Sequence, residues 1–343
     1  MSSNKPNVLN QPNVLESLKK VETSAVQTTH GLQVFALKWP CEDGLEYATL
    51  EEALQQKALE VSEVSEAGQV PTLKVINKSA RMVFLMAGEE LVGGKQNRVL
   101  NASMMVAAGG EMPVPVTCVE VGRWGYDSRR FSSGTISSHY NLRRMMSRQV
   151  SGSYRAAGAP QSEQGAVWGE VARKMHTMGS SSSSGALHDI YKDLDQKLEE
   201  VLKSLSVPTG SNGVAFAING KITGADFFDK PETLAKLWPK LVKSYAIDAL
   251  EHPMEKPPAL APERITEWLK AATSARQQWF DSPGVGKDVR IEGDELTGAT
   301  LIVQEHPVHL ELFREEAEPQ SSETPAHTNP LAPPRGFWKR LFS

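Results

Sequence analysis

Seven arginines and no lysine lie between residues 123 and 155, a segment that we call the arginine belt, and Asp127 is its only acid. The belt is strongly basic, whereas the whole chain of 343 residues has a formal net charge of −4. A guanidinium binds phosphate or carboxylate through two parallel hydrogen bonds, which an ammonium group cannot do. The belt therefore predicts recognition of a phosphate-bearing ligand. Arg123 and Arg143 are the predicted phosphate-binding residues, and Trp124 is a surface on which a base could stack.

A second polar segment precedes the belt and reads GEELVGGKQNRVLN over residues 88–101. Its Gly-Gly pair lets the backbone approach a ligand closely. Four donor side chains follow the pair, and we predict that they bind the ligand: Lys95 and Arg98 at phosphate, Gln96 and Asn97 at polar edges. The segment is not a P-loop, because no Ser or Thr follows its lysine. A solvated hairpin with an ordinary Gly-Gly turn is the alternative interpretation.

Carboxylates beside these donors could do acid–base or metal chemistry. Glu89 and Glu90 are adjacent in the second segment, and Glu120 lies just before the belt. Carboxylates oppose the binding of an anion unless a proton or a metal intervenes. We therefore predict catalytic roles for these three residues, with Mg²⁺ as the candidate metal. Structural ion pairs with arginine are the alternative.

The other reactive residue types have simpler explanations. Cys118 lies in an apolar run, VTCV, and is predicted to be a core residue rather than a nucleophile. His139 precedes a helical pattern and is predicted to be a surface or capping residue. Cys41 and Cys118 have no partners at zinc-ligand spacing, so neither a disulfide framework nor structural zinc is expected.

The elements that position these residues change in type along the chain. Short β-rich runs dominate the first part, and strands this close together must be joined by hairpins, so the sheet is predicted to be antiparallel. These runs cover residues 59–64, 72–77, 82–86, 99–106 and 112–120. Pro113 and Pro115 place the last run at an edge or a bulge. The second part is predicted to contain helices and hairpins, including helices at 231–250 and 262–280 and a hairpin at 213–228 that turns at Asn219-Gly220.

These patterns predict an α+β protein in which an antiparallel β-rich N-terminal part packs with an α+β C-terminal part of helices and β-hairpins. The predicted divisions are a disordered tail at residues 1–30, the β-rich part at 31–135, the α+β part at 136–313 and a second disordered tail at 314–343. The second tail ends in the basic aromatic sequence FWKRLF. No apolar run is long enough for a transmembrane segment, and no secretory signal is recognisable, so a soluble cytoplasmic protein is expected.

Four motifs together resemble a known family: GEELVGGKQNRVLN at 88–101, PVTCVEVGRW at 115–124, QGAVW at 164–168 and AINGKITGADFF at 217–228. They are similar to the ARG and rhodanese-phosphatase-superfamily-associated protein domain, over roughly residues 30–310. The name of that family records an association with ADP-ribosylglycohydrolases and rhodanese-like phosphatases. The resemblance therefore implies ADP-ribose, NAD-derived or phosphorylated nucleotide ligands.

The expected function is the binding of a small, anionic, nucleotide-like ligand and, as a further step, its hydrolytic or transfer processing. A non-catalytic nucleic-acid-binding or scaffold module is the alternative, in which the same arginines contact a phosphate backbone and the aromatic rings stack on bases. The two differ in salt dependence, because affinity for nucleic acid falls steeply as salt rises. The sequence leaves open whether the chain is an enzyme, which substrate it takes and which oligomer it forms.

Overall fold

The computed structural model describes residues 13–41, 45–66 and 68–315, which form three β-sheets and seven α-helices. This confirms the predicted α+β class. The helices are α1 (Leu50–Gln55), α2 (Tyr140–Ala157), α3 (Gln164–Met178), α4 (Leu187–Asp193), α5 (Asp195–Lys203), α6 (Pro231–Glu251) and α7 (Pro262–Ala272). The strands are β1 (Glu22–Thr29), β2 (Leu32–Lys38), β3 (Tyr47–Thr49), β4 (Leu59–Glu63), β5 (Thr72–Asn77), β6 (Met82–Leu85), β7 (Glu89–Gly93), β8 (Arg98–Leu100), β9 (Met104–Val106), β10 (Glu111–Cys118), β11 (Phe131–Ser137), β12 (Gly213–Ile218), β13 (Lys221–Phe228), β14 (Arg276–Asp281), β15 (Lys287–Gly293), β16 (Leu296–Val303) and β17 (His306–Arg314).

The largest sheet has eight strands in the order β1-β2-β12-β13-β17-β16-β15-β14. Helices α2 and α6 pack on one of its faces, and α7 with a short 3-10 helix at Glu16–Lys20 covers the other. Because both faces are covered, inner strands such as β16 are buried along their whole length. Strands of both predicted parts belong to this sheet, since β2 pairs with β12.

Two smaller sheets hold the motifs that precede the belt. One has six strands in the order β11-β7-β8-β10-β5-β4, and the other has three in the order β3-β6-β9. Strand β7 carries the two adjacent glutamates of the second segment, β8 begins at Arg98, and β10 ends at Cys118. Strand β3 runs parallel to β6, whereas the other pairings in these two sheets are antiparallel.

Strand β10 contains two prolines, and the way it pairs with its neighbours allows them inside a sheet. Its first half pairs with β5 over residues 111–115, and its second half pairs with β8 over residues 116–118. Each half thus has one hydrogen-bonded neighbour. Pro113 and Pro115 lie in the first half, where the missing N–H groups face the unpaired side, as on an edge strand.

Two predicted elements differ from the structure. The run at 99–106 is two strands in different sheets, because β8 ends at Leu100 and β9 begins at Met104 after a turn. The helix predicted at 262–280 ends at Ala272, and β14 follows it. The hydroxyls of Thr273 and Ser274 bond the carbonyls of the last helical turn, and the residues beyond them pair with β15 instead of continuing the helix.

The predicted tails also differ from the structure at their inner ends. Within residues 13–30, Leu15 and Leu18 are buried against α7, and β1 pairs with β2. At the other end, Arg314 belongs to β17. Residues 1–12 and 316–343, including the FWKRLF sequence, lie outside the described residues.

Two local predictions are confirmed. The hairpin of β12 and β13 turns at Asn219 and Gly220, whose φ angles of 50° and 75° are those of a type I′ turn. Helix α2 begins directly after His139, whose side chain accepts a hydrogen bond from Leu142 N–H.

Among the described helices, none is both long enough and apolar enough to cross a membrane.

Candidate functional site around the arginine belt

The arginine belt does not form one surface. Its first three members precede β11, and the other four lie along α2. Six of them pair with acids that are mostly distant in sequence: Arg123 with Glu120, Arg129 with Glu66, Arg130 with Glu60, Arg143 with Asp226 and Glu311, Arg144 with Glu315, and Arg155 with Glu292. Much of the local positive charge is therefore neutralised within the fold. Arg129 and Arg130 remain mainly in solvent, with 83% and 70% of their side chains exposed.

Arg123 holds the loop that follows β7. Its Nη1 donates to the carbonyls of Gly94 and Gly125, and its Nε and Nη2 donate to the two carboxylate oxygens of Glu120 at 2.9 and 2.6 Å. Its Nη2 also reaches the side-chain oxygen of Asn97 at 3.1 Å. The guanidinium predicted to bind phosphate is thus used inside the protein to fix the Gly-Gly turn.

The polar run after the Gly-Gly pair points inward instead of toward a ligand. Gln96, Asn97 and Arg98 are all buried. Arg98 Nη1 donates to Gln96, and Arg98 Nη2 lies 3.7 Å from a carboxylate oxygen of Glu63. Its Nε and Nη2 have no hydrogen-bond partner among the described residues. This guanidinium lies beneath an exposed surface, and the buried carboxylate of Glu63 beside it offsets its charge.

That surface carries an aromatic–basic patch, which we define as Lys95, Trp124, Tyr126, Arg129 and Arg130. The ammonium group of Lys95 lies 5.4 Å from the ring centroid of Trp124 and 5.2 Å from that of Tyr126. The two rings are 38% and 44% exposed. Tyr126 and Arg129 both contact Glu66, which joins the patch to the turn after β4. Trp124 therefore lies where the sequence predicted it, in an exposed basic setting.

Glu120 is an anchor beneath this patch. It accepts hydrogen bonds from Arg123, from the backbone N–H of Asn97 and from the hydroxyl of Ser184 at 2.7 Å. Burial disfavours its charged form, but these hydrogen bonds outweigh the burial and lower the pKa of Glu120. It is held as a carboxylate with its lone pairs occupied, and this arrangement matches the structural ion pair that the sequence left as the alternative.

Glu90 forms a pair with His188, a residue that the sequence did not indicate. Glu90 is fully buried, and its Oε2 lies 2.8 Å from Nδ1 of His188, whose side chain is 37% exposed. Burial raises the pKa of Glu90, and the hydrogen bond to Glu90 raises the pKa of His188, so the pair retains a shared proton to higher pH. Gly134 packs directly against Glu90, where any Cβ would lie 2.3 Å from Oε2.

Glu89 and Glu90 are adjacent in sequence but do not act together. Side chains alternate along β7, so Glu89 points to the opposite face and bonds Lys240 Nζ at 2.6 Å. Lys240 is buried and also pairs with Glu51 at 3.2 Å. Burial disfavours its charge, but Glu89 outweighs this and raises the pKa of Lys240. The side chain of Glu89 therefore does not lie beside the side chains of Glu90, His188 and Glu120.

Cys118 and His139 have the structural roles that were predicted for them. Cys118 is fully buried, and burial raises the pKa of its thiol to about 11, so it is not a thiolate near neutral pH. The side-chain amide of Gln164 bonds the N–H and the carbonyl of Cys118, which ties the QGAVW motif to the end of β10. His139 caps α2 and is buried between Asp248 and Glu170.

Arg143 does not belong to the patch and lies in a buried ionic cluster between α2 and the large sheet. Its Nη1 bonds Asp226 Oδ2 at 3.2 Å, and its Nη2 bonds Asp226 Oδ1 and lies 3.2 Å from Glu311 Oε2. Asp226, His309 and Glu311 offer ligand atoms within 4.8 Å of one another, a spacing that suits a metal ion. The guanidinium already bonds both carboxylates, however, so it supplies the positive charge that a metal would bring.

A separate cleft of about 830 Å³ opens between the start of α2, the end of α6 and the β12–β13 hairpin. Arg144, Lys221 and Arg314 line it together with Tyr140. Arg144 and Arg314 pair there with Glu315 and Glu295. Of the residues predicted to bind a ligand or act in catalysis, none lines this cleft.

The chain was compared with protein families, with curated proteins and with solved structures. The comparisons with curated proteins and with solved structures find no match. The family model that matches is that of the ARG and Rhodanese-Phosphatase-superfamily-associated Protein domain, and it covers residues 20–313. The match runs from the residues just before β1 almost to the end of β17 and therefore includes the aromatic–basic patch, the Glu90–His188 pair and the Arg143 cluster. The chain thus belongs to the ARG and Rhodanese-Phosphatase-superfamily-associated Protein domain family.

Proposed function

We propose that the chain binds a nucleotide-type anion on the aromatic–basic patch. The observation that carries this proposal is the position of Lys95, whose ammonium group lies within 5.5 Å of two exposed aromatic rings. A base could stack on Trp124 or Tyr126, while Lys95 and the two exposed arginines contact phosphate. The family association supports ADP-ribose and related nucleotides as the first ligands to test.

The charges around the patch support an anion as the ligand. Arg129 pairs with Glu66, but both side chains are more than 80% exposed, and such an ion pair contributes only about 0–1 kcal/mol. A phosphate can therefore replace Glu66 at little cost. Arg98 lies 5.8 Å from the Trp124 ring centroid, but its charge is paired with that of the buried Glu63.

The Glu90–His188 pair is the proposed source of acid–base chemistry for processing the ligand. A buried carboxylate that bonds Nδ1 fixes the orientation of the imidazole, and the exposed part of the ring is left to exchange a proton with a substrate or water. The pair is connected to the patch through α4, because Ser184, just before this helix, bonds Glu120, which in turn binds Arg123 beside Trp124. We therefore assign His188 as the proton-transferring group and Glu90 as its positioning residue.

A binding experiment tests the first part of the proposal. Thermal-shift measurements with ADP-ribose, AMP and inorganic pyrophosphate identify a ligand, and calorimetry then compares the wild type with Trp124→Ala. Loss of stacking should weaken binding by about 1–3 kcal/mol, or roughly 5- to 150-fold. Arg264→Ala is the matched control, because Arg264 is an exposed arginine paired with an exposed glutamate on α7. Equal affinity in the wild type, Trp124→Ala and Tyr126→Ala would refute the patch, and a loss in Arg144→Ala alone would place the ligand in the cleft.

Product analysis tests the second part. His188→Gln should reduce turnover of the bound nucleotide by a factor of about 10² or more while leaving its affinity within about twofold. Glu89→Gln is the control, since Glu89 bonds Lys240 on the opposite face of β7. If the wild type converts none of the bound compounds, with or without Mg²⁺, the chain binds without processing and the assignment of His188 is wrong.

Single-stranded nucleic acid is the second candidate ligand, because two exposed rings beside two exposed arginines are also suited to successive bases and phosphates. Salt dependence separates the two. Affinity for a short oligonucleotide should fall steeply between 50 and 200 mM salt, by about tenfold or more for several phosphate contacts, whereas affinity for a mononucleotide should fall much less.

A further inference from the structure

A serine, a histidine and an aspartate form a hydrogen-bonded chain at the boundary between β9 and the large sheet, away from the aromatic–basic patch. Ser103 Oγ lies 2.8 Å from Nδ1 of His309, and Nε2 of His309 lies 3.3 Å from Oδ1 of Asp226. Asp226 and His309 are buried, whereas Ser103 is partly exposed. The chain therefore runs from a buried carboxylate to a partly exposed serine.

The surrounding bonds fix the direction of each donor. Burial disfavours the charged form of Asp226, but Arg143 outweighs this and lowers the pKa of Asp226, so this carboxylate accepts hydrogen bonds. In the tautomer that carries its proton on Nε2, His309 donates to this carboxylate and directs its Nδ1 lone pair at Ser103. Ser103 Oγ accepts the N–H of Ala87 at 2.9 Å, and in that tautomer its own hydrogen is donated to His309 Nδ1. These are the proton positions of an activated serine nucleophile.

A small cavity lies beside the serine. Ser103, Asp288, Thr300 and His309 line it, and its volume is about 10 Å³, enough for one group of about the size of a water molecule. Asp288 Oδ2 and Thr300 Oγ1 are buried and have no hydrogen-bond partner among the described residues. Burial raises the pKa of Asp288, whose Oδ1 pairs with Arg290 Nη1 at 3.4 Å. The hydroxyl of Thr300 can donate a hydrogen bond and is suited to stabilising an oxygen that becomes negative during a reaction.

We propose that Ser103 is a nucleophile for small acyl esters, with His309 as its base and Asp226 as the residue that positions His309. Ser103 Oγ forms a bond to the acyl carbon while its proton passes to His309 Nδ1, and the alcohol leaves with that proton. Water then hydrolyses the acyl-serine to the free acid and restores the serine. The cavity has room for one water-sized group such as the carbonyl oxygen, so the rest of a small acyl group and the alcohol lie outside it. This proposal uses none of the residues of the nucleotide site and does not depend on it.

Methanesulfonyl fluoride is a suitable probe, because its sulfur takes the place of the acyl carbon, fluoride leaves and the serine keeps a stable sulfonyl group. The full chain is incubated with the reagent and analysed by intact mass and peptide mapping. We expect one added methylsulfonyl group on Ser103, formed about 10² times faster than on any other serine. Ser103→Ala should not be modified. Ser79→Ala is the matched control and should react like the wild type, since Ser79 is a partly exposed serine whose hydroxyl bonds only Asn77 and the Arg81 region.

A second variant tests the base. His309→Gln should lose the rapid modification while Ser103 is still present, and p-nitrophenyl acetate hydrolysis should fall in parallel. If His309→Gln does not fold, Ser103→Ala and the wild type decide the question by themselves. No adduct on the wild type, an adduct on another residue, or modification of Ser103 at the rate of the other serines would each overturn the proposal.

Discussion

Removal of the Arg143 guanidinium should show how much the unfolding free energy depends on the one arginine that bonds the buried ionic cluster. Arg143→Ala leaves the carboxylates of Asp226 and Glu311 facing each other on paired strands without the cation that now bonds both of them. Breaking a buried ion pair by removing one partner costs about 3–5 kcal/mol, because the remaining charge stays desolvated. The neighbouring change Arg144→Ala is the matched control, since Arg144 is partly exposed and pairs with Glu315, which is partly exposed as well.

Urea unfolding, followed by tryptophan fluorescence, measures both variants. Arg143→Ala should lose at least about 2 kcal/mol more than Arg144→Ala. Glu311→Gln in the Arg143→Ala background should restore part of the loss, because it removes one of the two uncompensated carboxylates. Similar losses in the two single variants, or no recovery in the double variant, would refute the explanation by buried charge.

The same cluster predicts a dependence on pH with a definite sign. Because the folded pKa of Asp226 is lowered to about 2, its contribution to stability is present above the usual aspartate pKa of about 4 and is lost as pH falls from there toward 2. In Arg143→Ala the pKa of Asp226 is no longer lowered. Acidification then neutralises an uncompensated carboxylate and stabilises the variant, while it destabilises the wild type. The difference in unfolding free energy between them should therefore narrow over this interval. A constant difference from pH 7 to pH 3 would show that the loss comes from packing alone.

Four further changes test other contacts. Arg123→Lys should lower the unfolding free energy by about 1–3 kcal/mol in urea, because lysine cannot replace the guanidinium bonds to the turn carbonyls. Gly134→Ala should lower the pKa of His188 in an NMR titration, because its methyl group displaces Glu90 from the imidazole. Thr49→Ala removes the N-cap of α1, where a capping box is present, and should cost about 1 kcal/mol in thermal unfolding. Deletion of residues 316–343 should leave the melting temperature within about 2 °C, since that sequence is rich in Pro, Ser, Thr and Glu.

Each of these has a result that would contradict it. An unchanged melting temperature in Thr49→Ala would mean that the capping box does not stabilise α1. Arg123→Lys with wild-type stability would mean that the loop is fixed by other contacts. An unchanged titration in Gly134→Ala would mean that Glu90 does not control His188. A melting temperature that drops by several degrees on deletion would show that the FWKRLF sequence packs on the folded body.

The local signals in the sequence predicted those parts of the fold that depend on neighbouring residues. The turn at Asn219-Gly220 needs positive φ at two successive positions, and this residue pair is among the few that tolerate it. The break between β8 and β9 could not be predicted in the same way. The side chain of Asn101 in that break bonds the carbonyl of Pro160 and the hydroxyl of Thr117, and neither contact is visible in an apolar run.

The candidate site was predictable in its residue types but not in their partners. Trp124 was predicted to be exposed beside positive charge, and the structure has it so. The pairing of Glu90 with His188 joins residues that are 98 positions apart, and no spacing rule indicates it. The sequence did not indicate the acidic partners of Arg143, because Asp226 and Glu311 come from strands that lie far beyond the belt in sequence. Alternation along β7 was the one available rule that separates Glu89 from Glu90.

The pairing of β2 with β12 has a consequence for the nascent chain. The two smaller sheets contain only strands from β3 to β11, so they can form while the second half of the protein is still being synthesised. The β1–β2 hairpin, by contrast, has an unsatisfied edge until β12 has left the ribosome, and β13 must then be joined by β17 from the far end. The large sheet thus has high contact order and should be the slow step of folding. Separate expression of residues 31–135 and 136–313 would give two fragments that each present an open strand edge to other chains.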